Sequence, residues 1–332
     1  MKSLETRKKE HIDLAFKSQT GMPEIDQRFH YEPMLAAHPE KGLQPFTFLG
    51  REHRTPMWVS SMTGGTKLAG KINRNLARAC REFGMGMGLG SCRIILDDDT
   101  YFEDFNMRPV IGPDGPLWAN LGIAQIEELL EEGKVPLASR LVEKLEADGL
   151  IIHVNPMQEW FQPEGDILKY SPIETIQRFM DMFKYPLIVK EVGQGIGPES
   201  LKALLQLPLQ AIEFAAFGGT NFARVELLRD ENALASLFEP LSYIGEDAMT
   251  MVESINAITA VNKPECKELI ISGGIKNFLD GYYLMKKSKL PAIYGMASSF
   301  LKYAQEDYDQ LHTFVEGQVK GLEMAYAYLS VR

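Results

Sequence analysis

Apolar runs short enough to be strands recur along the chain: Met57 to Ser61, Gly84 to Leu89, Leu117 to Leu121, Leu150 to Val154, Leu187 to Val192, Ala211 to Ala215, Leu269 to Ile271 and Ala292 to Tyr294. Most are near-continuous rather than alternating, the pattern of strands covered on both faces. Between most of them apolar residues return at three- and four-residue spacing, as in Ile123 to Leu130, Leu137 to Leu145, Ile173 to Phe183 and Leu201 to Leu205, which predicts helices. Ser171-Pro172-Ile173-Glu174 marks one helix start, with a capping hydroxyl, proline at the first helical position and Glu at the third. Eight strands alternating with helices over roughly 250 residues predict an α/β fold, the (β/α)8 TIM barrel. An open doubly wound sheet shares the alternation. The barrel is favoured because Gly and polar motifs fall at the C-terminal ends of most strands rather than at one switch point.

Two stretches break the rhythm. Residues 1–55 read as an N-terminal arm. It carries the basic cluster Arg7-Lys8-Lys9-Glu10-His11, a short amphipathic piece from Ile12 to Phe16, and breakers at Pro23, Pro33, Pro39 and Pro45 with room for one hairpin. Residues 56–332 then form a single catalytic barrel. Within it, 222–267 is too long for a simple crossover and reads as an insertion between strands six and seven, two helices around a mobile stretch near Pro240 to Asp247 that is a candidate lid.

Composition narrows the function. At 45% hydrophobic and 24% charged the chain is of ordinary soluble type. A formal net charge of -10 opposes general binding to nucleic acid, so a phosphorylated ligand must be held by a few local cations. Cys80, Cys92 and Cys266 are odd in number and lack metal-ligand spacing, which predicts free thiols in a reducing cytoplasm. No apolar run approaches the ~20 residues of a membrane span, and no signal-peptide core is present.

Chemistry concentrates in 149–166, GLIIHVNPMQEWFQPEGD, where His153, Asn155, Gln158, Glu159 and Gln162 crowd the end of a buried strand. Buried polar groups need partners, so the cluster is either a satisfied turn or a site. Glu159, a single carboxylate among amides, suits Mg²⁺ shared with a bound phosphate. Lys190, directly after the fifth strand, needs an anion or an electron-rich ring: either a neighbouring carboxylate or a ligand. Ser60-Ser61-Met62-Thr63-Gly64-Gly65 follows the first strand. In Gly84-Met85-Gly86-Met87-Gly88 the alternate glycines bare one face, against which something flat can lie. Arg93 supplies a fixed cation there, and Cys92 has no adjacent base to activate it. Asn120 ends the third strand. Gly218-Gly219-Thr220-Asn221, Ser272-Gly273-Gly274-Ile275-Lys276 and Gly295-Met296-Ala297 together suggest a phosphate cradle of backbone N–H groups on one quadrant.

These motifs, with RKKEH, SSMTGG, GLGSCR, VKEVGQGI, GGTNFA and SGGIK, resemble the FMN-dependent type 2 isopentenyl diphosphate isomerases from Arg7 to about Ala297. QEWFQPEGD and VKEVGQGI are the specific ones; the glycine pairs occur in many phosphate barrels. The resemblance implies a barrel that binds FMN, Mg²⁺ and a diphosphate, with NADPH reducing the flavin, and that assembles as a homotetramer or homo-octamer. It places Met62, Thr63, Gly64, Ser91, Asn120 and Lys190 on the flavin ring and ribityl chain, and Thr220, Gly273, Gly274, Met296 and Ala297 on its phosphate. Arg7, Lys8, His11 and Arg93 would clamp the diphosphate. His153, Asn155 and Gln158 would line the substrate pocket and act with Lys190 in catalysis, and Glu159 would hold Mg²⁺. The family usually has glutamine at Cys92, serine-tryptophan at Asn221-Phe222 and arginine at Lys276, differences that bear on affinity more than on reaction type. Alternatives on the same barrel are an FMN oxidoreductase, a nucleotide dehydrogenase using Cys92, or a flavin- or phosphate-binding protein without catalysis.

Overall fold

The computed structural model describes residues 3–40, 42–229 and 237–332. Eight parallel strands close into a barrel: β1 Met57–Val59, β2 Gly86–Gly88, β3 Leu117–Gly122, β4 Gly149–His153, β5 Leu187–Lys190, β6 Ala211–Glu213, β7 Leu269–Ser272 and β8 Ala292–Met296. Each predicted strand is present, and β8 pairs with β1 to leave no edge. The predicted helices lie at Ile123–Glu131, Pro136–Lys144, Pro172–Met180 and Pro198–Leu205. Their apolar stripes pack on the outer faces of the strands in the larger of two hydrophobic clusters. Ser171 precedes the helix Pro172–Met180 as expected, but its hydroxyl makes no capping bond.

The barrel is closed from below by the hairpin the arm was expected to contain. Phe46–Phe48 and Arg51–His53 pair antiparallel through a two-residue turn in which Leu49 and Gly50 have φ of 51° and 72°. Positive φ at both positions is the requirement of a type I′ turn, which Gly50 meets without strain. Leu49 N–H donates to Glu268 Oε2 at 3.0 Å, and Arg51 Nε donates to Asp148 Oδ1 at 3.0 Å, tying the hairpin to the strand starts. Phe48 and Leu49 thereby enter the barrel interior against Trp58, Trp118, Ile151, Ile188, Ile270 and Ile293. Higher in the arm, Phe29–Tyr31 pairs with the C-terminal strand Leu329–Val331. With its lower end filled by side chains, the barrel is a packed core, and folds of this kind place their chemistry at the C-terminal mouth.

His53 is fully buried in this plug, stacked on Phe46 at 5.6 Å and edge-on to Phe48 at 5.8 Å. Burial pushes its pKa down to about 4 from the ordinary 6.5. The unfolded chain therefore binds a proton that the folded chain refuses, so stability is lost as pH falls from 6.5 towards 4. The loss from this one residue is expected to reach about 3 kcal/mol. Urea melts across that window measure it. His53→Phe is expected to flatten the profile, and an unchanged slope in that variant would remove His53 from the account.

Two parts of the chain differ from expectation. The basic cluster does not precede a separate amphipathic piece; one helix, Leu4–Ala15, spans both, with none of its residues buried. The stretch 240–247 is structured and tied to its surroundings by hydrogen bonds. It contains a 3-10 helix, Glu239–Tyr243, and Gln194 Nε2 donates to the carbonyls of Leu241 at 3.1 Å and Ile244 at 2.6 Å. Asn221 Nδ2 donates to Ser242 O at 2.8 Å, and Phe217 bridges to Asp247. Side chains distant in sequence supply these anchors, which a local reading of Pro and Gly content misses. The insertion continues as the helices Phe222–Arg229 and Ala248–Val261, with residues 230–236 outside the described ones.

Candidate active site at the C-terminal mouth

A cavity of about 230 Å³ opens where β5, β6, β7, β8 and β1 end, bordered by Lys190, Glu213, Ser272, Gly295 and Ser60 and by the glycine pairs 218–219 and 273–274. Those pairs are interleaved: at Gly273 a Cβ would stand 2.1 Å from Ala216 O, and at Gly218 it would stand 3.1 Å from Gly274 Cα. Two loops thus run backbone against backbone, with only N–H groups and carbonyls to present. Met296 and Ala297 border the same cavity, as does Thr220, whose side chain is exposed.

Lys190 is 6% exposed, and its ammonium donates to the carbonyl of Glu191 at 2.7 Å. The neighbouring carboxylate does not pair with it. Glu191 Oε2 instead accepts from the backbone N–H groups of Gly193, Gln194 and Gly195 at 2.6, 2.6 and 3.0 Å, while burial raises its pKa. Among the described residues no carboxylate makes a direct ion pair with Lys190, although its charge still acts on Glu191, and the lysine borders the cavity.

Asn120 links the third strand to the fourth. Its Nδ2 donates to Leu89 O at 3.0 Å, which turns Oδ1 toward His153 Nδ1 at 2.7 Å. An amide oxygen only accepts, so Nδ1 carries the imidazole proton and Nε2 keeps its lone pair. Burial, and then the charge of Lys190, pushes His153 down to about 3, so the ring is neutral near pH 7. Past it, Asn155 is buried, and its Nδ2 donates to Glu159 Oε1 at 2.8 Å and Gln158 Oε1 at 3.2 Å, while its own Oδ1 is enclosed without a partner. Glu159 Oε2 accepts from Asp166 N–H at 2.9 Å, and Asp166 pairs with Arg93 at 3.0 Å. Among the described residues no group of three or more ligand-type side chains forms a ready metal cage.

Two carboxylates here were not singled out from the sequence. Glu226, 3% exposed on the helix Phe222–Arg229, accepts from Gln158 Nε2 at 3.2 Å and from Arg229 at 2.6 Å, so it holds the amide of Gln158 from across the mouth. No local signal marks it. Glu213, wholly buried, interrupts the apolar run Ala211-Ile212-Glu213-Phe214-Ala215, a charge at a strand end that is legible in the sequence just as Lys190 is.

Other expectations change. The bare face of β2 is already covered by a flat group of the protein itself: a Cβ at Gly86 would lie 2.5 Å from the Trp58 ring, and one at Gly88 would lie 2.5 Å from Ile151 Cδ1. Cys92 is fully buried, with burial pushing its thiol up to about 12, so it is a bystander rather than a nucleophile. Met62, Thr63, Gly64 and Ser91 lie on the loops after β1 and β2, where Thr63 backbone touches Gly90 closely enough to exclude a Cβ. Arg7, Lys8 and His11 stay on an exposed helix and are not brought into the cluster. A larger cavity of about 690 Å³ lies between β5 and the helices Pro172–Met180 and Pro198–Leu205, lined largely by apolar side chains.

No family model matches the chain. Curated relatives do. The isopentenyl-diphosphate delta-isomerase of Rickettsia prowazekii is 33% identical over 306 residues, covering 90% of this chain and 85% of that protein. The enzyme of the same name from Deinococcus radiodurans is 36% identical over 283 residues, covering 83% and 80%. Among solved structures, a mandelate oxidase variant with (S)-mandelic acid superposes with a TM-score of 0.58 at 15% identity over 92% of this chain and 87% of that one. A flavocytochrome b2 variant with sulfite bound gives 0.60 at 14% identity over 90% and 71%. At such low identity the structural likeness shows the shared barrel alone. The closed barrel fits the type 2 branch, and the extent and identity of the sequence matches establish that the chain belongs to the isopentenyl-diphosphate delta-isomerase family.

Proposed function

We propose that the chain interconverts isopentenyl and dimethylallyl diphosphate with reduced FMN as acid–base and without net redox change. Lys190 carries the reading: a buried ammonium with no carboxylate at ion-pair distance among the described residues, at the edge of a cavity bordered by glycine-rich backbone, suits an anionic flat ring joined to a phosphate. The unpartnered buried hydroxyls of Ser60 and Ser61 fit the polar chain between them.

Moving the double bond requires a proton delivered to an unactivated alkene and another removed at the allylic carbon. Side chains serve such steps best with pKa values near the operating pH. His153 is held neutral far below that range, and Cys92 is enclosed far above it. The flavin would supply the acid–base chemistry when bound, NADPH being needed only in catalytic amounts to reduce it. In this reading Met62, Thr63, Gly64, Ser91, Asn120 and Lys190 hold the ring side and Thr220, Gly273, Gly274, Met296 and Ala297 the phosphate. His153, Asn155 and Gln158 orient substrate, the last braced by Glu226. Arg93 would meet the diphosphate, and Arg7, Lys8 and His11, which stand on an exposed helix outside the cluster, would join it only through a movement of the arm.

For Mg²⁺, the chemistry of the donors fits: Glu159 carboxylate and the unpartnered Asn155 Oδ1 are hard oxygens on adjacent side chains, and the substrate diphosphate would complete the set. Glu159→Gln is expected to weaken Mg²⁺ dependence by about 10- to 100-fold in half-saturating concentration, the usual scale for a charge-assisted contact. Full activity at unchanged Mg²⁺ dependence would remove Glu159 from that role.

The whole proposal is tested by an anaerobic assay with FMN, Mg²⁺, isopentenyl diphosphate and a trace of NADPH. Product in many-fold excess over NADPH is expected. Nicotinamide consumed one-for-one with substrate would make the protein an oxidoreductase instead.

A further inference from the structure

Glu213 ends β6 at the cavity floor and is 0% exposed. Its Oε1 accepts from Ser272 Oγ at 3.3 Å, and its Oε2 is buried with no partner. Lys190, its register neighbour across β5 and β6, directs its ammonium to the Glu191 carbonyl instead. An ionised carboxylate only accepts, and one enclosed without a donor is costly, so this oxygen is arranged for a donor that arrives with a ligand.

The surroundings say what kind. Across the strand ends, Glu213, Ser272, Gly295 and Ser60 form a continuous strip: at Gly295 a Cβ would stand 2.7 Å from Ser60 Oγ and 2.9 Å from Ser272 Cβ. Ser60 Oγ, like Glu213 Oε2, has no partner. A phosphate would be repelled by the carboxylate, and the face of a flat ring has no donor to offer. A chain of hydroxyl groups satisfies both orphaned atoms, since each O–H donates to the carboxylate or exchanges bonds with the serine. The strip borders the same cavity as Lys190 and the glycine pairs, where a chain joining ring to phosphate has to pass.

We propose that Glu213 is a polyol receptor, whose free carboxylate oxygen accepts a hydrogen bond from a ribityl hydroxyl and makes the site select a hydroxylated linker. This rests on the flavin reading above. The rival role is purely architectural: Ser272 Oγ, which donates to Glu213, also accepts from Ala215 N–H at 2.9 Å, and Ala215 has φ of 44°, so the carboxylate also braces a strained turn.

Glu213→Gln separates the two, because the amide oxygen can keep the Ser272 contact while an NH2 group replaces the acceptor. Apoprotein is titrated with FMN and with a flavin carrying a phosphorylated, hydroxyl-free pentyl chain, following flavin fluorescence. The wild type is expected to prefer FMN, and the variant to lose about 10- to 100-fold in FMN affinity, the range for a hydrogen bond to a charged group. Affinity for the pentyl analogue is expected to stay as it was, and the variant apoprotein to keep the parent's stability. Equal loss for both ligands, or no loss for FMN, overturns the receptor role. A wild-type protein that binds neither flavin overturns the flavin reading itself, a distinct result.

Discussion

Lys190→Ala is expected to lower isomerase turnover about 10²- to 10³-fold, the scale on which removing one preorganised charge from a closed site acts. The ammonium is buried and donates to the Glu191 carbonyl, and among the described residues no carboxylate stands within ion-pair distance of it, although its charge is felt by Glu191. A group in that position contributes little to folding, because an unpaired buried charge is itself costly. The variant is therefore expected to melt at or above the parent's temperature while losing activity, a combination that a structural lysine would not give. Its removal has a second consequence: Lys190 is one of the two causes that hold His153 low, so His153 is expected to titrate at higher pH in the variant, observable in its imidazole proton shifts. Lys190→Arg is not expected to restore function, since a planar fork replaces a compact charge. Turnover within a few-fold of wild type in Lys190→Ala would refute the assignment.

Gly273→Ala is the second large effect. Its φ of 90° is one that side-chain-bearing residues rarely adopt, and the added Cβ would meet Ala216 O at 2.1 Å and Ala216 N at 2.3 Å. Those are backbone atoms committed to the β6–β7 junction, where Ala216 N–H donates to Ser272 O at 2.8 Å, so neither can give way cheaply. A loss of about 2–5 kcal/mol in stability is expected from strain and overpacking together. Because the interleaved glycine loops form the proposed phosphate cradle, the variant is also expected to lose preference for FMN over riboflavin, which lacks the phosphate. Chemical denaturation measures the first effect and paired titrations the second. Parent-like stability with an intact FMN preference would show that the loop at Gly273 has room that the geometry denies.

Much of the architecture was legible because burial on both faces leaves a local trace. Leu150-Ile151-Ile152 and Leu187-Ile188-Val189 admit no polar side chain, so the strands declare themselves, and proline and glycine punctuate the loops between them. Lys190 and Glu213 are legible for the same reason, each a charge at the end of such a run. The hairpin that plugs the barrel was legible as a possibility only, since proline breakers leave room for a turn without saying where it falls or what Phe48 packs against.

Sequence by itself determined the alternation of eight strands with helices and the places of the glycine loops, because these follow from short-range periodicity and backbone sterics, whereas closure of β8 on β1 is a tertiary matter. Only the tertiary structure decided who partners whom. Gln158 meets Glu226 across 68 residues of chain, and Glu191 turns to backbone N–H groups rather than to Lys190 beside it. Trp58 fills the space that Gly86 leaves, and Gln194 pins the carbonyls of Leu241 and Ile244. Hydrogen bonds and close packing depend on which groups the closed barrel brings within about 3 Å, and the order of residues along one segment carries no record of the other segment.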